Sequence, residues 1–114
     1  MKKVLIVEDK LVEQLLLKRE LDGEIEIITA FSIEEAETKF AANPDVAAIV
    51  MDACVPGHDP NTGPLVKRLR ALFAGPIIAT SSVLSYRQQL VQAGCDFECG
   101  KDSVPHKLRE ALDL

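Results

Sequence analysis

Short apolar runs alternate along this chain with longer segments in which apolar residues recur every three or four positions. Such a recurrence is the spacing of an amphipathic helix, whereas a strand buried on both faces of a parallel sheet reads as a continuous apolar stretch. The alternation repeats five times, which predicts five βα units with right-handed crossovers and a doubly wound parallel sheet. The predicted strands are residues 3–7, 24–29, 46–51, 77–79 and, with the least apolar sequence, 95–99.

Capping and breaking residues mark the ends of the first two helices. Five apolar residues at helical spacing predict the first helix, with Gly23 as its stop signal: Leu11, Val12, Leu15, Leu16 and Leu21. Ser32 and Glu35 form a capping box, which predicts the start of the second helix. The stripe that this helix should bury consists of Ile33, Ala36 and Phe40.

The last three helices are predicted in the same way. The third helix stops at residues 75–76 and carries four apolar residues: Leu65, Val66, Leu69 and Leu72. Residues 84–93 form the fourth helix, which is closed by Gly94. The final helix begins at residue 102 or 103 and has Pro105 in its first turn, where proline is tolerated. Its buried residues should be Leu108 and Leu112.

Size and composition indicate one domain over residues 1–114, with no output domain. Apolar residues make up 47% of the chain, and the net charge is −5, so we expect no general basic surface and no direct nucleic-acid binding. No apolar run reaches the ~20 residues of a membrane span, and the N-terminus lacks the features of a signal peptide. The three cysteines lack framework spacing, which suits reduced thiols and predicts a cytoplasmic protein.

Polar side chains stand where four of the predicted strands end. Glu8 and Asp9 follow the first strand, Asp52 the third, Thr80 the fourth, and Lys101 comes just after the fifth. The carboxyl ends of the strands are where open α/β folds place their chemistry, and in the strand order 2-1-3-4-5 the first and third strands are neighbours. We therefore expect these side chains to meet at one edge of the sheet.

Carboxylates as close as these repel one another, and a hard dication such as magnesium would let them coexist. Thr80 offers a hydroxyl one strand beyond Asp52. Lys101 lies roughly 10 Å away by strand spacing, within reach only of a long side chain, and its ammonium would suit a phosphate. Taken singly, the acids are more simply turn or capping residues and the lysine a surface residue. Their joint order along the chain predicts a magnesium and phosphate site.

Five motifs carry a resemblance to a known family: Val4-Leu5-Ile6-Val7-Glu8-Asp9, Ile49-Val50-Met51-Asp52, Pro56-Gly57, Ala79-Thr80-Ser81, and Ala93-Gly94-Cys95-Asp96 with Lys101. Over its whole length the chain resembles the receiver domain of bacterial response regulators, the acceptors of two-component signal transduction. The resemblance implies a flavodoxin-like α/β sandwich that takes a phosphoryl group from a sensor histidine kinase or a phosphotransfer protein. It implies no enzyme for a separate substrate, but an acceptor that assists its own phosphorylation and dephosphorylation.

The resemblance also implies a role for each site residue. Asp52 is the expected phosphoacceptor, and Thr80 and Lys101 would contact the phosphoryl oxygens. Magnesium would be held by Glu8, Asp9, Asp52 and the backbone carbonyl of Cys54. A downstream protein would then read the phosphorylated state, through the face formed by the fourth helix, the fifth strand and the fifth helix.

Three features depart from the family's pattern. Asp102 stands where the family has a proline joined by a cis peptide, so we expect a trans bond after Lys101 and an altered reach of that lysine. Glu98 replaces the family's switch aromatic, and because burying an unpaired carboxylate is unfavourable we expect it to point outward. The proline-rich loop of residues 52–63 brings His58 near the site, either as a solvated residue or as an extra metal ligand.

The prediction is a stand-alone phospho-receiver that signals through protein–protein interaction, with its kinase, its target and any homodimer left open. One alternative is a pseudo-receiver, an interaction module that signals without phosphate. Glu98 and Asp102 favour it, and the intact acid pocket opposes it. A remote alternative is a flavodoxin-like cofactor binder, but no glycine-rich or Ser/Thr-rich phosphate loop follows the first strand. The chain also has one tyrosine and no tryptophan to stack on a flavin.

Overall fold

Five parallel strands form one sheet in the order β2-β1-β3-β4-β5, with five helices around it. The structure, a computed structural model, describes all of residues 1–114. The strands are β1 (Lys3–Val7), β2 (Glu26–Ala30), β3 (Ala48–Asp52), β4 (Ile77–Thr80) and β5 (Phe97–Cys99). The helices are α1 (Leu11–Glu20), α2 (Ile33–Ala42), α3 (Gly63–Arg70), α4 (Leu84–Ala93) and α5 (Val104–Leu112), with a short 3-10 helix (Lys101–Ser103) before α5. The predicted fold class and strand order are confirmed.

The sheet is covered on both faces, which explains why its central strands are apolar throughout. On one face, residues of α2, α3 and α4 such as Phe40, Leu69 and Leu90 pack into one core cluster. On the other face, residues of α1 and α5 such as Leu17 and Leu108 pack into a second. Every residue of β3 and β4 is buried, whereas β2 at the sheet edge is only partly covered. No helix of the protein has both the length and the apolar composition that crossing a membrane requires.

The capping box of α2 forms as predicted, except that its second hydrogen bond comes from the residue before the N-cap. The backbone N–H of Glu35 donates to Ser32 Oγ at 3.0 Å, and Glu35 Oε1 accepts from the N–H of Phe31, at 3.3 Å. At the other end of the chain, Pro105 lies in the first turn of α5, and Leu108 and Leu112 are buried. These local signals identified both helices, although α5 begins at Val104, one or two residues later than predicted, after the 3-10 helix.

The third helix is shorter than predicted. It ends at Arg70, and Leu72, predicted to be one of its apolar residues, lies outside it and is 75% exposed. Phe73 enters the core instead and makes an edge-to-face contact with Phe40, with ring centroids 5.8 Å apart. The Arg70 guanidinium donates to the carbonyls of Phe73, Gly75 and Gly94 and to the Asp96 carboxylate. Because these acceptors stabilise the turn after Arg70, the chain leaves the helix before Leu72 reaches the core.

The first helix does not bury most of the apolar residues from which it was predicted. Four of its leucine and valine residues are 53–66% exposed: Leu11, Val12, Leu15 and Leu16. The side that faces the sheet carries Leu17 and Gln14, and Leu21 follows just after the helix. The Gln14 amide nitrogen donates to the carbonyls of Ile6, Glu8 and Ala30 and so joins the ends of β1 and β2. An apolar surface therefore remains open beside the carboxyl edge of the sheet.

Several strand boundaries also differ from prediction by one or two residues. β2, β3 and β5 each begin two residues later than expected, at Glu26, Ala48 and Phe97. β2, β3 and β4 each end one residue later, so that β3 includes Asp52 and β4 includes Thr80. The later starts reflect pairing, since Glu26 is the first residue of β2 in register with Lys3 of β1. Asp52 is part of the strand because it pairs in register with Thr80.

Candidate functional site

The carboxyl ends of β1, β3 and β4 bring the predicted acidic and hydroxyl residues together. Val7 pairs with Met51, and Asp52 pairs with Thr80, so the residues that follow β1 lie beside the end of β3. One carboxylate oxygen from each of Glu8, Asp9 and Asp52 lies within 4.8 Å of the others. Glu8 and Asp52 are buried, so these charges share a region with little water. The predicted convergence of the three acids is confirmed.

Lys101 reaches across the sheet edge to two of these acids. Its ammonium donates to Glu8 Oε1 at 2.5 Å and to Asp52 Oδ2 at 3.1 Å. Burial disfavours the charge on Lys101, but the hydrogen bonds and negative charges of Glu8 and Asp52 outweigh it and raise the pKa of Lys101 above 10.5. The lysine is therefore a fixed positive charge that neutralises part of the acid cluster.

Asp9 is the acid that lacks a partner. Its Oδ1 atom is buried and makes no hydrogen bond. Burial raises the pKa of Asp9, and the neighbouring carboxylate of Glu8 raises it further. Asp9 thus brings a carboxylate with an unpartnered oxygen to a cluster in which one oxygen from each of three acids lies within 4.8 Å of the others, and a hard cation prefers such oxygen ligands. These residues could hold a metal ion.

Thr80 also has an unused polar atom at this edge. Its Oγ1 is buried and has no hydrogen-bond partner, although the residue pairs directly with Asp52 across the strands. A buried hydroxyl without a partner is rare in folded proteins and calls for an explanation such as a ligand. Beside it, the Ser81 hydroxyl accepts from the N–H of Val83 at 3.1 Å, which shapes the loop that leads into α4.

Two residues that the sequence analysis did not identify hold the loop after Asp52. The fully buried Thr62 donates its hydroxyl hydrogen bond to the carbonyl of Asp52 at 2.8 Å, with the Ala53 carbonyl at 3.2 Å. The Asn61 side chain makes two 2.8 Å bonds with the backbone of Val55, one as donor and one as acceptor. Thr62 lies just before a helix with proline in its first turn, and this position is the sequence signal from which its structural role could have been predicted.

Asp52 itself is held from both sides. Its Oδ1 accepts from the backbone N–H of Cys54 at 3.4 Å, and its Oδ2 from Lys101. Burial raises the pKa of the Cys54 thiol, and the Asp52 charge raises it further, so this thiol stays neutral beside the site. The resulting pocket opens between the loop at Gly57 and the loop at Ser81.

Comparison with known proteins gives matches of structure but not of sequence. No family model matches the chain, and neither does any curated protein. A two-component response regulator from Clostridium difficile superposes with a TM-score of 0.86 at 22% identity, over 99% of this chain and 97% of that one. The BeF3-activated receiver domain of RstA from Klebsiella pneumoniae gives 0.80 at 21% identity, over 99% and 100% of the two chains. A structure of the CheA3 P1 domain in complex with CheY6 from R. sphaeroides gives 0.78 at 20% identity, over 99% and 98%. The chain has the receiver-domain fold.

The position of the usual receiver switch aromatic carries an ion pair in this receiver fold. Glu98 was expected to point outward, but its side chain is only 31% exposed, and its Oε1 accepts from Arg87 Nε at 2.8 Å. Pairing with a guanidinium removes the penalty that an unpaired carboxylate would have there. The expectation of an outward side chain holds only in part, and it missed the ion pair because Arg87 lies on α4 and becomes a neighbour only in the folded chain.

The replacement of the family's proline by Asp102 does not prevent Lys101 from reaching the acid cluster. The bond from Lys101 to Asp102 is trans, as expected, since Val55–Pro56 is the cis peptide of the chain. Residues Lys101–Ser103 form the 3-10 helix instead, and this conformation directs the lysine toward Glu8 and Asp52. The expected change in reach is not seen.

The receiver loop after β3 brings His58 near the site without making it a ligand. His58 lines the same pocket as Asp52, but it is exposed and does not belong to the cluster of possible ligand atoms. The simpler of the two expectations for His58, a solvated loop residue, is the one that the geometry matches.

Proposed function

We propose that this chain is a phosphoacceptor that takes a phosphoryl group onto Asp52 and signals through contact with another protein. The supporting observation is the arrangement at the sheet edge. The buried Asp52 carboxylate is bonded to Lys101, while Thr80 and Asp9 each have a buried oxygen without a partner. Unsatisfied polar atoms on both sides of a nucleophile suit a site that becomes complete when a charged ligand binds.

Phosphoryl transfer asks a protein mainly to position groups and to neutralise charge. A carboxylate oxygen of Asp52 would form the new bond to phosphorus as the bond to the donor's histidine nitrogen breaks, and the imidazole would leave with the electron pair and take up a proton. Lys101 would exchange its bond with Glu8 for a phosphoryl oxygen, and the Thr80 hydroxyl would donate to another. This function uses each unpartnered atom of the site.

Magnesium, which prefers oxygen ligands, would be held by Glu8, Asp9 and Asp52, whose oxygens lie within 4.8 Å of one another, together with the backbone carbonyl of Cys54. The ion would supply positive charge next to the phosphoryl oxygens. Lys101 alone cannot balance three carboxylates and an incoming phosphoryl group, so a second positive charge is expected at this edge.

A protein phosphodonor is the proposed partner, either a sensor histidine kinase or a phosphotransfer protein. Among the similar structures, CheY6 is seen in complex with the P1 domain of CheA3, and RstA is BeF3-activated. In this chain the exposed apolar residues of α1 lie beside a groove lined by Leu16, Lys101, Asp102 and Pro105. An apolar surface next to the phosphoacceptor suits a partner that must bring its own phosphohistidine to Asp52.

The docking role of α1 can be separated from the chemistry. Leu15→Asp on the exposed face should leave phosphorylation by acetyl phosphate unchanged and reduce phosphorylation by any protein phosphodonor that labels the wild type. Leu72→Asp, at an exposed leucine just after α3, is the matched control. Equal rates with the protein donor in both variants would exclude α1 as the docking surface.

The acceptor is tested with acetyl phosphate and magnesium followed by intact-mass measurement. The wild type should gain one phosphoryl group, and so should Asp45→Asn, which alters an exposed acid paired with Lys3. Asp52→Asn should gain none. A gain in Asp52→Asn, or no gain in the wild type, would refute the proposed function.

A pseudo-receiver that signals without phosphate is the second candidate, and the Arg87–Glu98 pair at the switch position favours it. Beryllofluoride with magnesium, which mimics a bound phosphoryl group, separates the two. A working receiver should change the fluorescence of Tyr86, the single tyrosine, which lines the pocket at Asp52. A pseudo-receiver should give no change.

The buried free cysteines support the further proposal of a reducing, cytoplasmic setting.

A further inference from the structure

One arginine connects the loop after Thr80 to the fifth strand. Arg87 Nη1 donates to the Ser81 carbonyl at 2.8 Å, and Arg87 Nε donates to Glu98 Oε1 at 2.8 Å. The side chains of Arg87 and Glu98 are 18% and 31% exposed. The pair is thus partly shielded from water, and its charge-assisted bonds are stronger than those of a surface pair.

Arg87 also adjoins the loop that carries Lys101. Its Nη1 lies 4.0 Å from the point where a Cβ of Gly100 would be, and Gly100 immediately precedes Lys101. Ser81 immediately follows Thr80. A single guanidinium therefore lies between the two loops whose polar groups face Asp52.

We propose that Arg87 is a positioning residue that couples the loop at Thr80 to β5 through its ion pair with Glu98. This inference rests on the proposed function. The Ser81 carbonyl follows Thr80 directly in the chain, so any shift of Thr80 toward a phosphoryl oxygen also moves the acceptor of the Arg87 bond. Because Arg87 is bonded to Glu98 at the same time, that displacement reaches the surface of α4 and β5.

The geometry of arginine is required for this role. A guanidinium presents several N–H groups in one fixed plane and can serve Ser81 and Glu98 together, whereas a lysine ammonium is a compact charge on a flexible stem. Arg87→Lys therefore keeps the charge but loses the double connection. Glu98→Gln keeps the shape but removes the charge, and it tests the same link if Arg87→Lys fails to fold.

The test follows backbone amide chemical shifts when beryllofluoride and magnesium are added. In the wild type, shifts are expected both at residues 52–54 and at residues 97–100. In Arg87→Lys and Glu98→Gln the site should still respond, but the shifts at 97–100 should fall at least about twofold, the lower end of measured coupling changes. Arg68→Lys is the matched control, since Arg68 pairs with Glu37 elsewhere on the surface.

A charge-reversed pair distinguishes coupling from simple structural support. Arg87→Glu/Glu98→Arg restores an ion pair but offers no donor to the Ser81 carbonyl. It should recover the melting temperature lost in the single variants without recovering the response at 97–100. A recovered response, or an undiminished response in Arg87→Lys, would overturn the coupling and leave the proposed function intact. No shift at residues 52–54 of the wild type would overturn both.

Discussion

The crowded acids at the sheet edge predict that Asp52→Asn stabilises the metal-free protein. The Asp52 carboxylate lies within 4.8 Å of the carboxylates of Glu8 and Asp9. At an effective dielectric constant of about 20, each such contact is unfavourable by about 3.5 kcal/mol or more. The opposing attraction of Lys101, at 3.1 Å, is about 5 kcal/mol on the same scale.

Repulsion therefore exceeds attraction, and removal of the Asp52 charge should favour folding. Because Asp9 is only half-buried, solvent weakens its share, and we expect a net gain of about 1 kcal/mol in the free energy of unfolding. For a chain of this size that corresponds to a rise in melting temperature of about 4 °C. Relief of the desolvation of a buried carboxylate acts in the same direction.

The assay is thermal unfolding at neutral pH, first with a chelator and then with magnesium. With the ion a hundredfold above its Kd, the wild type should gain about 3 kcal/mol, and Asp52→Asn should gain less because it offers one ligand fewer. Asp45→Asn, at an exposed acid, should melt like the wild type in both conditions. A lower melting temperature for Asp52→Asn with chelator, or magnesium shifts of equal size in Asp52→Asn and wild type, would refute the reasoning.

Three further predictions concern stability. Arg70→Ala should lower the free energy of unfolding by about 3 kcal/mol in urea titrations, because several carbonyls and Asp96 lose their donor; a loss no larger than that of Arg68→Ala would contradict this. Thr62→Val should cost about 1–2 kcal/mol by the same measurement, since it leaves the Asp52 carbonyl buried without this donor, whereas Thr62→Ser should retain most of the stability. Burial raises the pKa of Cys95 from 9.0 to about 12, so the stability that this protonated thiol contributes is present below pH 9.0 and is lost as the pH rises toward 12. Wild type should therefore lose more stability above pH 9.0 than Cys95→Ala, and parallel pH profiles would exclude this origin.

The order and type of the elements, and the residues of the acid cluster, follow from the amino-acid pattern alone. Continuous apolar runs identify buried parallel strands without knowledge of their neighbours, and the capping residue Ser32 and the stop residue Gly94 act within a few positions of themselves. Because parallel strands present their carboxyl ends at one edge, the residues just after the runs could be assigned to one site. Glu8, Asp9 and Asp52 do meet there.

Which polar groups are paired and which apolar groups are covered depends instead on the packing of the elements against one another. The helical spacing of α1 is the same whether Leu15 or Leu17 faces the sheet, so the spacing does not identify the buried side. The carbonyls that accept from Gln14 belong to two strands and come together only once the sheet has formed. Arg87 and Glu98 lie on different elements, and each has a local pattern typical of a solvated residue. A periodic pattern describes a residue's relation to its own element, whereas pairing and burial depend on the elements packed against it, and these are fixed only by the assembled fold.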